Sequence, residues 1–195
     1  MMQFEYPEGA TPLDPNEAHG LRLAHVTTQA ELNRWEQENI AEALVWIGRR
    51  RKGDILTVEF LKELHERMYS KVWKWAGEFR ETEKNIGVYY KLISLRTSEL
   101  LDTVRYWVNH KTYSPDEIAY RFHHQLVLIH AFPNGNGRHS RLMADLLLEE
   151  ILGEERFTWG STDLTAQSDI RSRYIAALKK ADERDYSELH AFVRS

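Results

Sequence analysis

His130-Ala131-Phe132-Pro133-Asn134-Gly135-Asn136-Gly137-Arg138-His139-Ser140-Arg141 is the stretch that decides how this chain is read. An apolar helical pattern runs up to it through Phe122, Leu126 and Ile129, and another leaves it through Leu142, Met143, Leu146 and Leu147. Pro133 and the Asn-Gly-Asn-Gly run forbid one continuous helix, so the spacing predicts two helices joined by a tight loop. The loop feeds the first turn of the second helix, where unpaired N–H groups and the positive end of the macrodipole gather. Gly135 and Gly137 allow close backbone approach, and Arg138 and Arg141, three apart, share one helix face. The pattern therefore predicts an anion site, polyphosphate in size, with an imidazole at its lip. A plain connector with solvated arginines and a capping His130 is the alternative. A connector, however, needs one glycine, not two interleaved with asparagines.

The same residues resemble the signature of the Fic/Doc (Fido) family, His-x-Phe-x-(Asp/Glu)-Gly-Asn-Gly-Arg-x-x-Arg, at every fixed position except Asn134, where most members carry an acid. The resemblance implies an all-α, Fic-type helical bundle with a short β-hairpin flap. It also implies transfer of AMP from ATP to a Ser, Thr or Tyr hydroxyl of a target protein. On this reading His130 is the general base and Phe132 a core anchor for the loop. Asn134, Gly135, Asn136, Gly137, Arg138 and Arg141 hold the nucleotide, with Asn134 also at the position of the metal, Mg²⁺. An amide oxygen offers that ion geometry without charge. A Fic-like module that binds nucleotide or a partner without turnover, and phosphotransfer at the same site, remain open alternatives.

Length and composition agree with one soluble domain. The chain's 195 residues, 42% of them hydrophobic, suffice for a sizeable core, and a net charge of −4 gives no support to nucleic-acid binding. There are no cysteines, hence no disulfide or thiolate metal site. No apolar run is long enough for a membrane span and the N-terminus lacks a secretion-signal pattern, so the expected location is cytoplasmic. The resemblance implies nucleotide and a protein substrate as partners, and self-association stays open.

Along the chain, residues 1–27 carry Pro7, Pro12 and Pro15 without a period and read as an extended arm. Residues 28–53 read as one helix, capped at Thr27 or Thr28, with Leu32, Trp35, Ala43, Leu44 and Ile47 on its apolar face. The basic run Arg49–Lys52 reads as its solvated end, stopped by Gly53. Many Fic-like proteins carry an inhibitory helix whose glutamate pairs with the second motif arginine, here Arg141. Three residues compete for that role: Glu38, which Asn39 follows; Glu31, four after Thr27; and Glu36. Residues 54–195 then form the Fic/Fido-like catalytic domain. In it Thr57 caps a helix, and Trp75-Ala76-Gly77-Glu78-Phe79-Arg80 resembles the segment that precedes the motif in Fic-type proteins. Val88-Tyr89-Tyr90, in the chain's clearest β-like run, is expected to be the target-docking flap, working by strand addition. A helix capped at Thr97 or Ser98 follows, and Ser114-Pro115 opens the helix that reaches the motif. His123 and His130 lie on one face without zinc-ligand spacing, so His123 reads as a hydrogen-bonded core group. Two more helices, from about 165 to 180 and from 186 to 193, complete the expectation.

Overall fold

The computed structural model describes residues 12–161 and 169–195. Among these residues every regular element is helical, and the only β pairing is an isolated antiparallel bridge between Leu21 and Trp73. The elements are α1 (Pro15–Ala18), α2 (Gln29–Arg49), α3 (Val58–Tyr69), α4 (Ile93–His110), α5 (Pro115–Ile129), α6 (Asn136–Leu147), α7 (Asp169–Asp182) and α8 (Ser187–Val193). No helix among them is long and apolar enough to cross a membrane.

Local chemistry sets the helix starts. Thr28 caps α2 by accepting from the Glu31 N–H while Glu31 reaches back, a reciprocal capping box; Thr57 caps α3, and Ser114 with Pro115 opens α5. Because α5 and α6 are apolar on more than one side, both are sandwiched between neighbours. Ile118, Phe122, Leu126 and Ile129 of α5, with Leu142, Met143, Leu146 and Leu147 of α6, enter a large core shared with α2, α3 and α4. Ala119, Tyr120 and Ala144 face a second core built with Phe157, Trp159, α7 and α8. The α5–α6 hairpin is thus the spine, and its connecting loop is anchored in the larger core through Ala131 and Phe132.

Four expectations are corrected. Val88–Tyr90 form no strand: a short 3₁₀ turn (Tyr90–Leu92) runs straight into α4, which begins at Ile93 rather than near Thr97. The backbone there is already committed, with the Val88 N–H donating to the Ile129 carbonyl and the Val88 carbonyl accepting from Arg80, and buried Ile93 pulls the helix start forward. The inner stripe of α2 is Leu32, Glu36, Asn39, Ala43 and Ile47, while Trp35 and Leu44 stand exposed. Arg50 is not solvated: it forms a buried pair with Glu150 at 2.8 Å, its guanidinium 4.6 Å above the Phe60 ring. Within the expected arm, 12–27 contains the one-turn helix α1 and packs on the core through Leu13, Leu21, Leu23 and Val26; residues 1–11, and the expected helix start at 165–168, lie outside the described residues.

Candidate active site

Helix α5 ends at His130, whose backbone is left-handed (φ 52°, ψ 58°). That conformation is disfavoured for a residue with a Cβ, by about 1–2 kcal/mol, so the surroundings must hold it. The loop then turns on Phe132, which is buried and stacks on His65 at 3.7 Å between ring centroids. Asn136 staples the turn from inside: its side-chain oxygen accepts from the Phe132 N–H at 2.9 Å and its amide donates to the Phe132 carbonyl at 2.7 Å. Asn136 therefore spends its side-chain oxygen and one amide N–H on holding the turn. Gly135 occupies the N-cap of α6 at φ 78°, and a Cβ there would lie 2.5 Å from the Tyr69 ring. Gly137 differs: a Cβ would meet nothing nearer than Arg141 Nη1 at 3.8 Å and the Tyr174 hydroxyl at 3.9 Å, so its surface faces open room beside those groups.

Two buried histidines that the sequence did not single out fasten the loop from below. His65 accepts from the Gly77 N–H through Nδ1, which fixes the tautomer in which Nε2–H donates to the Asn134 carbonyl at 3.0 Å. His139 Nε2 bonds the Leu61 carbonyl at 3.0 Å. Burial lowers the pKa of both, to about 4 for His139, so both are neutral hydrogen-bonding groups at pH 7.

Asn134 turns its side-chain oxygen onto the N–H of Gly135 at 2.6 Å. An amide oxygen spent on its own turn, with no carboxylate of the loop beside it, does not fit a magnesium ligand as it stands. The amide N–H groups of Asn136 and Gly137 precede the first bond of the α6 ladder, from His139 N–H to the Gly135 carbonyl, and point out of the helix's positive end.

His130 sits beside this helix end, 6% exposed, with neither ring nitrogen in hydrogen-bond geometry to any partner. Burial lowers its pKa to about 4, the Arg80 and Lys84 charges add to the effect and the Val127 carbonyl opposes it. It is thus a neutral imidazole that makes no well-formed hydrogen bond, with the Val127 carbonyl as a backbone group acting on it.

The motif arginines diverge. Arg138 Nη2 donates to Glu36 Oε2 at 2.7 Å, and Glu36 Oε1 accepts from Trp73 Nε1 at 2.7 Å. Arg141 instead lies 5.4 Å above the Tyr174 ring and hydrogen-bonds its hydroxyl, which also meets His123 Nε2 at 3.0 Å. Of the three candidate glutamates, only Glu36 reaches the site, and it grips the first arginine rather than the second. Glu38 pairs with Arg34 on an exposed surface and Glu31 is consumed by the α2 cap. Arg80, Tyr174 and Trp73 also contribute contacts that the sequence did not assign; the signals available were the Trp75–Arg80 run for Arg80 and, for Glu36, polar residues at core spacing in α2.

Residues 55–148 match the model of the family described as Fic/DOC family. The chain is similar to the protein adenylyltransferase Fic of Aedes aegypti, 31% identical over 147 residues covering 73% of this chain and 27% of that protein. It therefore spans about a quarter of the length of the curated relatives it matches. Among solved structures, the N-terminal FIC domain of Bep8 from Bartonella sp. 1-1C superposes with a TM-score of 0.70 at 14% identity, over 94% of this chain and 96% of that one. The BepC protein of Bartonella tribocorum with bound AMPPNP superposes with a TM-score of 0.67 at 17% identity, over all of this chain and 96% of that one. At such identities these likenesses establish the fold.

Proposed function

The chain belongs to the Fic/DOC family, and on that premise we propose that it is a protein adenylyltransferase, moving AMP from ATP to a Ser, Thr or Tyr hydroxyl of a target protein. In this reaction the hydroxyl oxygen attacks the α-phosphorus, the bond to the α–β bridging oxygen breaks, pyrophosphate leaves, and the hydroxyl proton passes to His130. General-base help of this kind is worth roughly 10²–10⁴-fold. The observation that carries the reading is the neutral, unpartnered His130 imidazole at the positive end of α6. Its depressed pKa suits the waiting state, since the base form is fully populated. Arrival of an anionic triphosphate stabilises the imidazolium and brings its basicity back towards neutrality.

The leaving phosphates are met by the amides of Asn136 and Gly137 and by the two guanidinium groups, preorganised donors for developing charge. Magnesium enters as the counter-ion of ATP, with no step assigned to Asn134. In the state described, Glu36 stands on Arg138 where a phosphate would go, so residues 28–53 act as an inhibitory segment on a catalytic unit over 54–195, and residues 12–27 of the arm pack on its core. The target segment meets side chains rather than a strand edge, on exposed Ile86, Tyr89 and Leu92.

The test is incubation of the chain with a lysate and ATP labelled on the α- or the γ-phosphate. Label from the α-phosphate should be retained on protein, and His130→Ala should lower it by roughly 10²-fold or more while ATP still binds. Retention of the γ label instead identifies phosphotransfer, and bound ATP with no label on protein identifies a binding module; either outcome overturns the proposal.

A further inference from the structure

Arg80 is 2% exposed, and no carboxylate among the described residues lies within ion-pair distance of it. A buried guanidinium without an ion partner is costly unless hydrogen bonds compensate it. Here three of its five N–H groups are spent on backbone carbonyls: Nε donates to His130 at 2.6 Å, Nη1 to Thr82 at 2.7 Å and Nη2 to Val88. The Arg80 main-chain N–H donates to the next carbonyl of the motif, that of Ala131, at 2.9 Å. One residue therefore holds two successive motif carbonyls, those of His130 and Ala131, at the point where the chain adopts φ 52°. The same fork ties both ends of the 82–88 segment, which crosses directly over the histidine. Gly87 makes that crossing tight, because a Cβ there would lie 2.6 Å from Arg80 Nη2 and 2.7 Å from the His130 Cβ.

From this geometry we infer that Arg80 is a positioning residue for the transfer step, holding the strained His130 backbone and the segment above it so that the imidazole is aimed before substrate arrives. The inference rests on the transferase reading of the same site. It has a second consequence. Two cations, Arg80 and Lys84, act on His130, with Glu17 paired to Lys84 and both Glu17 and Glu83 acting on Arg80. Removing the guanidinium charge therefore lets the imidazole protonate more easily, whereas a lysine keeps the charge and loses the three-carbonyl fork.

The experiment compares the full chain with Arg80→Lys and Arg80→Gln, each also carrying Glu36→Gly to unblock the nucleotide. For Arg80→Lys, kcat should fall on the order of 10²-fold with KM for ATP nearly unchanged, as expected for misplacement of a reacting group. In parallel, His130 is followed by ¹⁵N NMR across acid pH, a readout that needs no turnover. Its protonation should begin about one unit higher in Arg80→Gln than in the parent or Arg80→Lys. A kcat within twofold of the parent in Arg80→Lys, or an unmoved His130 titration in Arg80→Gln, overturns the inference. If the parent itself transfers nothing, the transferase reading fails, and the NMR comparison still decides what Arg80 does to His130. Should the Arg80 variants not fold, Gly87→Ala crowds the same crossing without removing a buried cation; unchanged kcat and His130 chemical shifts there would also overturn it.

Discussion

Arg138 and Arg141 stand three residues apart on one helix, yet their surroundings are opposite in kind. Arg138 faces α2 and α3, where Glu36 neutralises it and Tyr69 lies 5.2 Å beneath. Arg141 faces α7, where its contacts are the ring and hydroxyl of Tyr174, a neutral cradle. An aromatic bed orients a guanidinium and leaves its charge for a ligand, whereas a carboxylate spends that charge. Both holders, Glu36 and Tyr174, lie outside the 55–148 match. The family segment thus carries both arginines, while the flanking helices set the state of each.

The largest expected effects separate the two arginines by kind. Arg141→Ala should lower kcat/KM by on the order of 10²-fold, since each charge-assisted bond is worth about 1.5–3 kcal/mol, with the melting temperature little changed. Arg138→Ala should instead cost about 3 kcal/mol or more of stability, because it leaves the buried Glu36 carboxylate with Trp73 as its remaining neutral partner. Steady-state kinetics and denaturant melts on both variants check this. Equal losses of stability would erase the distinction drawn here.

A smaller effect probes the lock itself. Glu36→Gly should raise transfer by roughly 10-fold, the scale of a 1.4 kcal/mol change, while Glu38→Gly and Glu31→Gly leave it unchanged apart from helix fraying. Trp73, bonded to Glu36, gives an independent optical signal: its fluorescence should change on adding ATP to the wild type and not to Glu36→Gly. Activation by Glu38→Gly with none by Glu36→Gly would transfer the role to the other glutamate.

What the sequence made legible follows from range. The caps at Thr28, Thr57 and Ser114, the break at Pro133, and the apolar faces of α5 and α6 are decided by neighbours within a turn or two. So are His130, the glycines and the arginines of the loop, whose types and spacing carry their chemistry. The rest depended on partners far along the chain. Glu36 and Asn39 replaced Trp35 and Leu44 in the buried stripe of α2 because Trp73, 37 residues on, and Arg138, 102 residues on, receive the carboxylate, and Arg67 and Lys71 take the amide. Val88–Tyr90 lost its strand because Arg80 and Ile129 had already taken its backbone groups. His65, and what Arg80 does, are legible only once the loop they hold is in place.

The smallest effect lies on the Arg141 side, where burial raises the next carboxylate along α6, Asp145, to a pKa of about 6 although Trp159 Nε1 and the Phe157 N–H bond it. His130 and His139, lowered from 6.5 to about 4, set the opposing term. Between those values a histidine is protonated in the unfolded chain and neutral in the folded one, so stability is lost as pH falls; the two together cost about 4 kcal/mol between pH 7 and 5. His65, His123 and His124 are shifted in the same direction. Asp145 acts oppositely, because from 3.8 to about 6 the folded protein binds the proton preferentially, which offsets about 1 kcal/mol of the loss at pH 5. Asp145→Asn keeps an acceptor for Trp159 and removes that offset. Urea melts at pH 7 and pH 5 should therefore show a steeper acid loss in the variant, by about 1 kcal/mol. Parallel losses would mean that the folded protein takes up no extra proton at Asp145 on going from pH 7 to pH 5.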